Sequence, residues 1–483
     1  MVESQLTLRA LSKNGKQLQE KLKDIFHNLP TKNDYQKVEI TSPESIAKYD
    51  QIFQNTTFLC LKVKLQSFLQ MHLDEQDSGI FDLAQNHSQI VKIKFLNTQK
   101  FNYQKIIQKF KDFQPNQNLK TITLDGNFFQ TPNKFENTSD ILNQGLQNLR
   151  FLRKLHIRYS TVTVQDIQQL QISLQDKPIL NYLNFQGSSL TYDHSVHLSQ
   201  IIRHHSWNLK ELHLNLNNLK DQGFLQTLEG IAVRYISKGC KYLGKIVQKA
   251  KNLTHVGLIN CMIGSEGASY LAEGLKHSLS IQTCLLGHNQ IDDEGAINLA
   301  AALRQNQSLK ELELHYNKLS GYAGFAFADG IYHYRTLTRL ILKENPIGDV
   351  ACRTILQTLR YNTSLIILNL ESCGLACHYD FEIEQGLIAN QTLEVLWLAN
   401  NFIQSDFGLN LSEVLKQNKV LKMINLQGNS LTDDDIHPIL EGLRVNKTCH
   451  YISLNTNNFS DYGMKSLREF KNDNYYERKR LHL

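Results

Sequence analysis

Cys373, Cys377 and His378 stand in a C-x-x-x-C-H spacing, which brings two thiols and an imidazole close together along the chain. Thiolate sulfur and imidazole nitrogen are the donors that zinc prefers, so this could be half of a tetrahedral site. No second Cys/His pair lies nearby to complete it, and no metal is expected. His156, His213, His255 and His315 are the candidates for a general base, with His288 beside Asn289. An imidazole does such work only with a nucleophile or a substrate proton within hydrogen-bond reach. A nucleophile–base pair could be drawn among these residues only by choice. Phosphate-binding phrases are missing too: there is no G-x-x-x-x-G-K-[ST] loop and no G-x-G-x-x-G after a strand. The expectation is a chain with no catalytic residues, no cofactor and no metal.

What positions these residues is a repeat. Cys373 belongs to a series, Asn289, Asn317, Asn345, Cys373, Asn401, Asn429 and Asn457, that recurs every 28 residues with Cys261 at its head. Each member sits in the pattern L-x-x-L-x-L-x-x-N-x-L. The clearest copies are LKELELHYNKL (309–319), LTRLILKENPI (337–347), LEVLWLANNFI (393–403) and LKMINLQGNSL (421–431). In L-x-L the two leucines point to one side of a short strand and the residue between them to the other. The asparagine turns the chain out of that strand, and its amide can pair backbone groups that the turn leaves open.

Further apolar columns keep the same step. Leu275, Leu303, Ile331, Leu359, Leu387, Leu415 and Leu443 are each preceded, four residues earlier, by Leu271, Leu299, Phe327, Ile355, Ile383, Leu411 or Ile439. Apolar residues at i and i+4 mark one face of a helix. Each unit is therefore a strand with a helical return; Asp292, Gly295 and Ala296 mark one helix start, and that helix runs out towards Asn306. The pattern extends towards the N-terminus through LKTITLDGNFF (119–129), LRKLHIRYSTV (152–162), LNYLNFQGSSL (180–190) and LKELHLNLNNL (209–219). The ladder residues there are Asn127, Ser160, Ser188 and Asn217, and twelve units result, the last being CHYISLNTNNF (449–459).

Stacked units with this wording are leucine-rich repeats. The period of 28 with a full helix on the return resembles the ribonuclease-inhibitor-like class, which includes ribonuclease inhibitor, the sensing arrays of NOD-like receptors, the Ran GTPase-activating protein and several axonemal subunits. The resemblance covers roughly residues 119–470. It implies an α/β leucine-rich-repeat solenoid (a horseshoe), with a parallel β-sheet on the concave side and helices on the convex side. It also implies a non-enzymatic scaffold that grips protein partners, although the fold hosts unrelated ones. A short N-terminal region followed by such repeats is similar to the leucine-rich subunit of the axonemal nexin–dynein regulatory complex, which implies a structural role in a ciliary assembly. The Ran-type activator is the alternative; its relatives typically carry an acidic tail, whereas this chain ends in the basic KNDNYYERKRLHL (471–483).

Four segments are expected. Residues 1–56 carry Leu11, Leu18, Leu22, Ile25, Phe26 and Leu29 ahead of Pro30, and read as a helical cap for the open end of the array or as a docking arm. Residues 57–118 are degenerate repeats, with Leu61-x-Val63 and Ile93-x-Phe95 as strands. Residues 119–470 are the main array, and 471–483 the tail. The step from Asn217 to Cys261 is 44, so 16 residues are inserted, within about 229–252. That stretch carries Arg234, Lys238, Lys241, Lys245, Lys249 and Lys251 against Glu229, and reads as a solvated face or as a secondary docking site for an acidic partner.

A net charge of +6 over 483 residues is well short of a nucleic-acid footprint. No apolar run approaches the roughly 18 residues of a membrane span, and the N-terminus lacks a signal-peptide core. The eight cysteines fall mostly at repeat positions, which suits reduced buried thiols. The expected location is cytoplasmic, at a cilium or axoneme, within a hetero-complex.

The partner is expected on the sheet. The residues between the leucines bring Ile341, Ile367, Val395, Trp397 and Met423 together on a face turned to water, a composition typical of binding hot spots. The other reading is that the chain's own tail or N-terminal arm covers them. Lys154, His156, Arg158 and His213 make the N-terminal part of this face basic, while Glu311, Glu313 and Glu371 are expected to make its centre acidic.

Overall fold

The computed structural model describes residues 36–40, 59–64, 90–96, 119–126, 144–205, 208–217, 240–377, 380–472 and 481–482. The chain divides into two compact units, residues 1–213 and 214–483. Both are leucine-rich-repeat α/β arrays, in which short parallel strands follow one another in sequence order.

The first unit contains β1 (Gln36–Ile40), β2 (Leu59–Lys64), β3 (Ile90–Leu96), β4 (Thr121–Asp125), β5 (Lys154–Arg158), β6 (Tyr182–Asn184) and β7 (Glu211–His213), each parallel to the next. β1 falls within the stretch expected to be a helical cap or arm; the residues carrying that expectation, Leu11 to Leu29, lie outside the described residues. Two helices, α1 (Val164–Leu174) and α2 (Tyr192–His204), return the chain between β5 and β7. α1 opens on a capping box: Thr163 N donates to Asp166 Oδ2 (2.6 Å) and Asp166 N to Thr163 Oγ1 (3.2 Å). At the start of α2 a histidine plays the acid's part. Thr191 N donates to His194 Nδ1 at 3.0 Å, and His194 Nε2 donates to the Val162 carbonyl at 2.9 Å. Burial holds this imidazole below its ordinary pKa, which favours the neutral ring that accepts at Nδ1 and donates at Nε2.

The second unit contains β8 (His255–Gly257), β9 (Thr283–Leu285), β10 (Glu311–Glu313), β11 (Arg339–Ile341), β12 (Ile367–Asn369), β13 (Val395–Trp397), β14 (Met423–Asn425), β15 (Tyr451–Ser453) and β16 (Leu481–His482). Pairing is parallel and in step with the repeat, as in Glu311↔Arg339 and Val395↔Met423. β16 comes from the basic tail and adds alongside β15, with Leu481 opposite Ile452. A helix over 240–249, α3, precedes α4 (Ser265–His277), α5 (Asp293–Leu303), α6 (Gly321–His333), α7 (Asp349–Thr358), α8 (Phe381–Ala389), α9 (Phe407–Gln417), α10 (Asp433–Val445) and α11 (Asp461–Asn472). The core lies between sheet and helices. Leu396 and Leu398 enter it from β13 and its exit, and both expected helix columns are buried along their whole length. Of the insertion, Arg234 and Lys238 lie outside the described residues, whereas Lys241 and Lys245 are exposed on α3.

The asparagine column is a hydrogen-bond ladder, interrupted where cysteine takes the asparagine's place. Asn289 Oδ1 accepts from Cys261 N and Ile263 N, both at 3.0 Å, while its Nδ2 donates to the Leu258 and Leu286 carbonyls, both at 2.9 Å. One side chain thus satisfies four buried backbone groups in two repeats. The residue before the ladder position turns through positive φ, 53° at His288 and 54° at Asn400, and Gly428 supplies the same turn at 66°.

A second ladder runs along the other end of each repeat. Asn418 Nδ2 donates to Leu387 O (2.8 Å) and Asn390 O (3.0 Å), and its Oδ1 accepts from Val420 N and Leu421 N, both at 2.8 Å. Asn306, Asn362, Asn390 and Asn446 repeat the arrangement. In the first unit the equivalent position, three residues before Leu180, is Lys177. It is 1% exposed, and its ammonium donates to the Gln147 carbonyl at 2.9 Å. Burial pulls its pKa down to about 8.

Candidate protein-binding surface

A three-residue strand buries its middle residue and turns the first and third to the open face of the sheet. In the second unit the first positions of β11 to β14 are Arg339, Ile367, Val395 and Met423, and the third positions are Ile341, Asn369, Trp397 and Asn425. Ile367, Val395 and Met423 are consecutive neighbours in register, and all three are half-buried, as is Trp397. Trp397 has Asn369 opposite it in β12 and Asn425 in β14. The tryptophan therefore stands beside the aliphatic row with a small polar residue on either side.

Ile341 does not share this exposure. It lies on the open face but is only 5% exposed, which corrects its expected place among water-facing residues. The long side chains before and after it on the same face are tied down: Arg339 Nη2 donates to Glu313 Oε1 (3.2 Å), and Lys343 Nζ lies 3.1 Å from Glu371 Oε2. The methylene stems of such pairs shield an aliphatic residue between them.

The same pairs reduce the charge of the expected acidic centre without removing it. Arg339 Nε lies 2.7 Å from Glu311 Oε1 while its Nη2 reaches Glu313, so two carboxylates share one guanidinium. Glu371 is 8% exposed and is held by Lys343; it also accepts from Asn425 Nδ2 at 3.0 Å, across the intervening strand β13. Burial alone would lower the Lys343 pKa, but the hydrogen bond and charge of Glu371, with further negative groups nearby, outweigh it and hold the pKa above its ordinary value. The centre is a tied-down polar border to the apolar row, in which two cations offset all but one of its three carboxylate charges.

The histidines are distributed as structural residues. His156, His213 and His255 lie in strands on the open face. His315 sits at the sheet's rim; burial, with His288 and Lys343 nearby, lowers its pKa. His288 stacks on Tyr316 at 4.2 Å and 12° between planes. Cys373 and Cys377 are buried with Cys352, and burial pushes the Cys377 thiol up to about 12, the wrong direction for a nucleophile. His378 lies outside the described residues, and among those described no three His, Cys, Asp or Glu side chains are grouped to hold a metal ion. No described helix is long and apolar enough to cross a membrane.

On α3, Lys241 projects over the Tyr270 ring of α4 at 5.9 Å. The two helices approach closely because both contact points are glycine. A Cβ on Gly244 would fall 2.3 Å from the Tyr270 carbonyl oxygen, and one on Gly274 2.3 Å from that of Gly244.

A family model described as leucine-rich repeat matches residues 205–224 and 286–300. No curated protein sequence matches the chain. Solved structures similar to it include a leucine-rich repeat protein of Leptospira interrogans (18% identity, 90% of this chain and 92% of that one, TM-score 0.45). An internalin of Listeria monocytogenes is also similar (15% identity, 76% and 81% covered, TM-score 0.44). So is leiomodin-1 actin-binding site 2 (23% identity, 27% and 75% covered, TM-score 0.25).

Proposed function

We propose that this leucine-rich repeat chain is a protein-interaction scaffold that seats a partner polypeptide on the open face of β12 to β14. The observation that carries the reading is the row Ile367–Val395–Met423 with Trp397 beside it, half-exposed on three adjacent strands. Leaving that much contiguous apolar area in water is unfavourable by roughly 25 cal/mol per Å², which a complementary partner removes. The polar border of buried Glu371 with half-buried Lys343 and Asn425 then fixes the register of whatever lies on the row, because this ion pair is already made and needs no reorganisation. Tail residues Leu481 and His482 extend the sheet beside β15, so these two do not lie across the row. Solenoids of this kind present extended faces for binding and typically act without catalysis.

In its specific form, the chain is a stoichiometric subunit of a large assembly such as a ciliary axoneme complex; the support is the layout of a short N-terminal region followed by repeats. The test is affinity purification from native cells with mass spectrometry, comparing wild type with Trp397→Ala. A tryptophan anchor is worth at least about 2 kcal/mol, so roughly a 30-fold loss of affinity is expected and a defined set of partners should disappear. An unchanged partner list rejects this face. Stimulation of GTP hydrolysis by catalytic amounts of the chain would instead favour a Ran-type activator.

A further inference from the structure

The outward side of a repeat helix meets water and ordinarily carries polar residues. Two columns on the helices of the second unit do not. Eight residues beyond the ladder position stand Ile297, Phe325, Phe381 and Leu409, on α5, α6, α8 and α9; five beyond it stand Tyr322 and Val350, on α6 and α7. All six are between 41% and 75% exposed. The columns turn polar at both ends, with Glu266 and Ser269 at these places on α4 and Asp434 and His437 on α10. Successive helices bring such places side by side: Asn298 Nδ2 of α5 donates to Ser269 Oγ of α4 at 2.8 Å. Six large apolar residues are therefore gathered on five adjacent helices and not scattered singly. Arg353 takes the α7 place in the first column, and its guanidinium is engaged, with Nη2 2.6 Å from Asp380 Oδ2 and Nη1 3.6 Å from Asp349 Oδ2.

The surroundings are acidic. Over the twelve residues that start at each ladder position from Asn289 to Asn429, the sequence has eleven carboxylates against Lys318 and Arg353, with His378 and His437 as the imidazoles. Some of the acids serve the fold. Asp293 accepts from Ser320 N at 2.7 Å and Asp433 from Ser460 N at 2.9 Å, while Glu384 and Asp435 are buried. Glu294, Glu382, Asp406 and Asp434 are exposed and form no ion pair among the described residues. Asp406 is left open because Asp435 of the next helix takes over the start of α9, its Oδ1 accepting from Gly408 N at 2.9 Å.

We infer that this face of α5 to α9 is a docking site for a basic amphipathic segment of a partner polypeptide. The apolar stripe of the segment covers the two columns, and its lysines or arginines meet the open carboxylates around them. A second copy of the chain is a poor occupant through the same face, because carboxylates would oppose carboxylates. An anionic lipid surface would accept the apolar side chains but attracts cations and repels these acids. The site is separate from the row around Trp397 and does not rest on the reading given for that row.

The experiment titrates the full-length chain, by fluorescence anisotropy, with a fluorescein-labelled peptide of about 24 leucines and lysines spaced to form one apolar helical stripe. A scrambled peptide of the same composition is run in parallel. The expected result is binding of the striped peptide that weakens as salt rises. It should fall at least tenfold in Tyr322→Ala/Phe325→Ala and at least fivefold in Glu294→Gln/Glu382→Gln/Asp406→Asn/Asp434→Asn, and stay within twofold in Trp397→Ala. The replaced side chains on this face are exposed, and circular dichroism melts establish that each variant is folded. Several outcomes overturn the inference: no binding by the wild type, equal binding of the scrambled peptide, or an equal loss in Trp397→Ala. So does pelleting of the chain with phosphatidylserine vesicles that the Tyr322→Ala/Phe325→Ala variant loses.

Discussion

Asn401 holds the turn of the preceding repeat at Cys373. Its Oδ1 accepts from Cys373 N at 3.0 Å and from Leu375 N at 3.1 Å, and its Nδ2 donates to the Leu370 and Leu398 carbonyls at 2.9 and 3.0 Å. Cys373 occupies the same ladder position one repeat earlier but does half of the work. Its thiol donates to the Leu342 carbonyl at 3.3 Å, in the place of an asparagine Nδ2, and it offers no amide oxygen to the turn before it. That turn closes on backbone acceptors: Ile347 N donates to Asn345 O, and Gly348 N, at φ 81°, to Cys373 O, both at 2.8 Å.

The asymmetry between these two residues is measurable. Asn401→Ala strips partners from two buried N–H groups and two carbonyls, each costing about 1–3 kcal/mol when unsatisfied. A loss on the order of 4 kcal/mol is expected, allowing for partial relaxation. Cys373→Ala removes one weak S–H bond and should cost only about 1 kcal/mol. Thermal unfolding followed by circular dichroism ranks the two variants; equal losses would show that the ladder amide is not what secures the turn.

Lys177 makes the first unit's stability depend on alkaline pH. Its native pKa of about 8 lies below the unfolded value of 10.5 because burial disfavours the ammonium. Between those values the unfolded chain binds the extra proton, so this group makes the native state more stable as pH rises from 8 to 10.5; below 8 the burial penalty is carried in full. Buried thiols act in the opposite sense, since Cys240, Cys261 and Cys284 are pushed up to about 12 and favour the unfolded chain once it ionises. The readout is therefore a difference. Lys177→Asn, which installs the ladder residue of the other repeats, should be more stable than wild type at pH 7, and the gap should shrink towards pH 10. A gap that stays constant with pH would mean that the lysine keeps its ordinary pKa in the native state, as a solvated ammonium does.

Gly244 and Gly274 set the spacing of α3 and α4. Gly244→Ala places a methyl carbon 2.3 Å from a backbone oxygen that cannot swing aside, and overpacking of this kind costs typically 1–3 kcal/mol or more. Gly264→Ala is the control, because nothing lies within 4 Å of its Cβ position. Melting temperatures of the two variants should separate, with Gly244→Ala clearly the lower; coincident values would refute close helix contact at this point.

Much of the array was legible in the sequence. A period of 28 with leucines two apart and an asparagine three beyond requires strand, turn and return in every unit, because each repeat must bury the same positions against its neighbours. The helix columns from Leu271 to Leu443 followed from i, i+4 spacing, and the burial of the described cysteines followed from their falling mostly at repeat positions. The residues of the second ladder stand in the sequence as Asn-x-Ser-Leu at Asn306 and Asn362. Their role was not legible, since a glycosylation acceptor and a buried amide bracket read alike until the partners are known.

Tertiary structure alone decided the rest. Parallel register brings residues 28 apart into contact, but which long side chains cross between columns depends on their rotamers and on local charge. Sequence could place Ile341 beside Ile367 without showing that Arg339 and Lys343 would be drawn into ion pairs around it. It could count Glu311, Glu313 and Glu371 without showing that one guanidinium and one ammonium would tie them down and offset two of their three charges. Nor could spacing show that Asn184 is small and buried enough for Tyr182 to lie across it between two imidazoles. The repeat dictates where each Cα stands, because backbone pairing is periodic. What the open face offers a partner is set by side chains meeting across strands, and those meetings are not periodic.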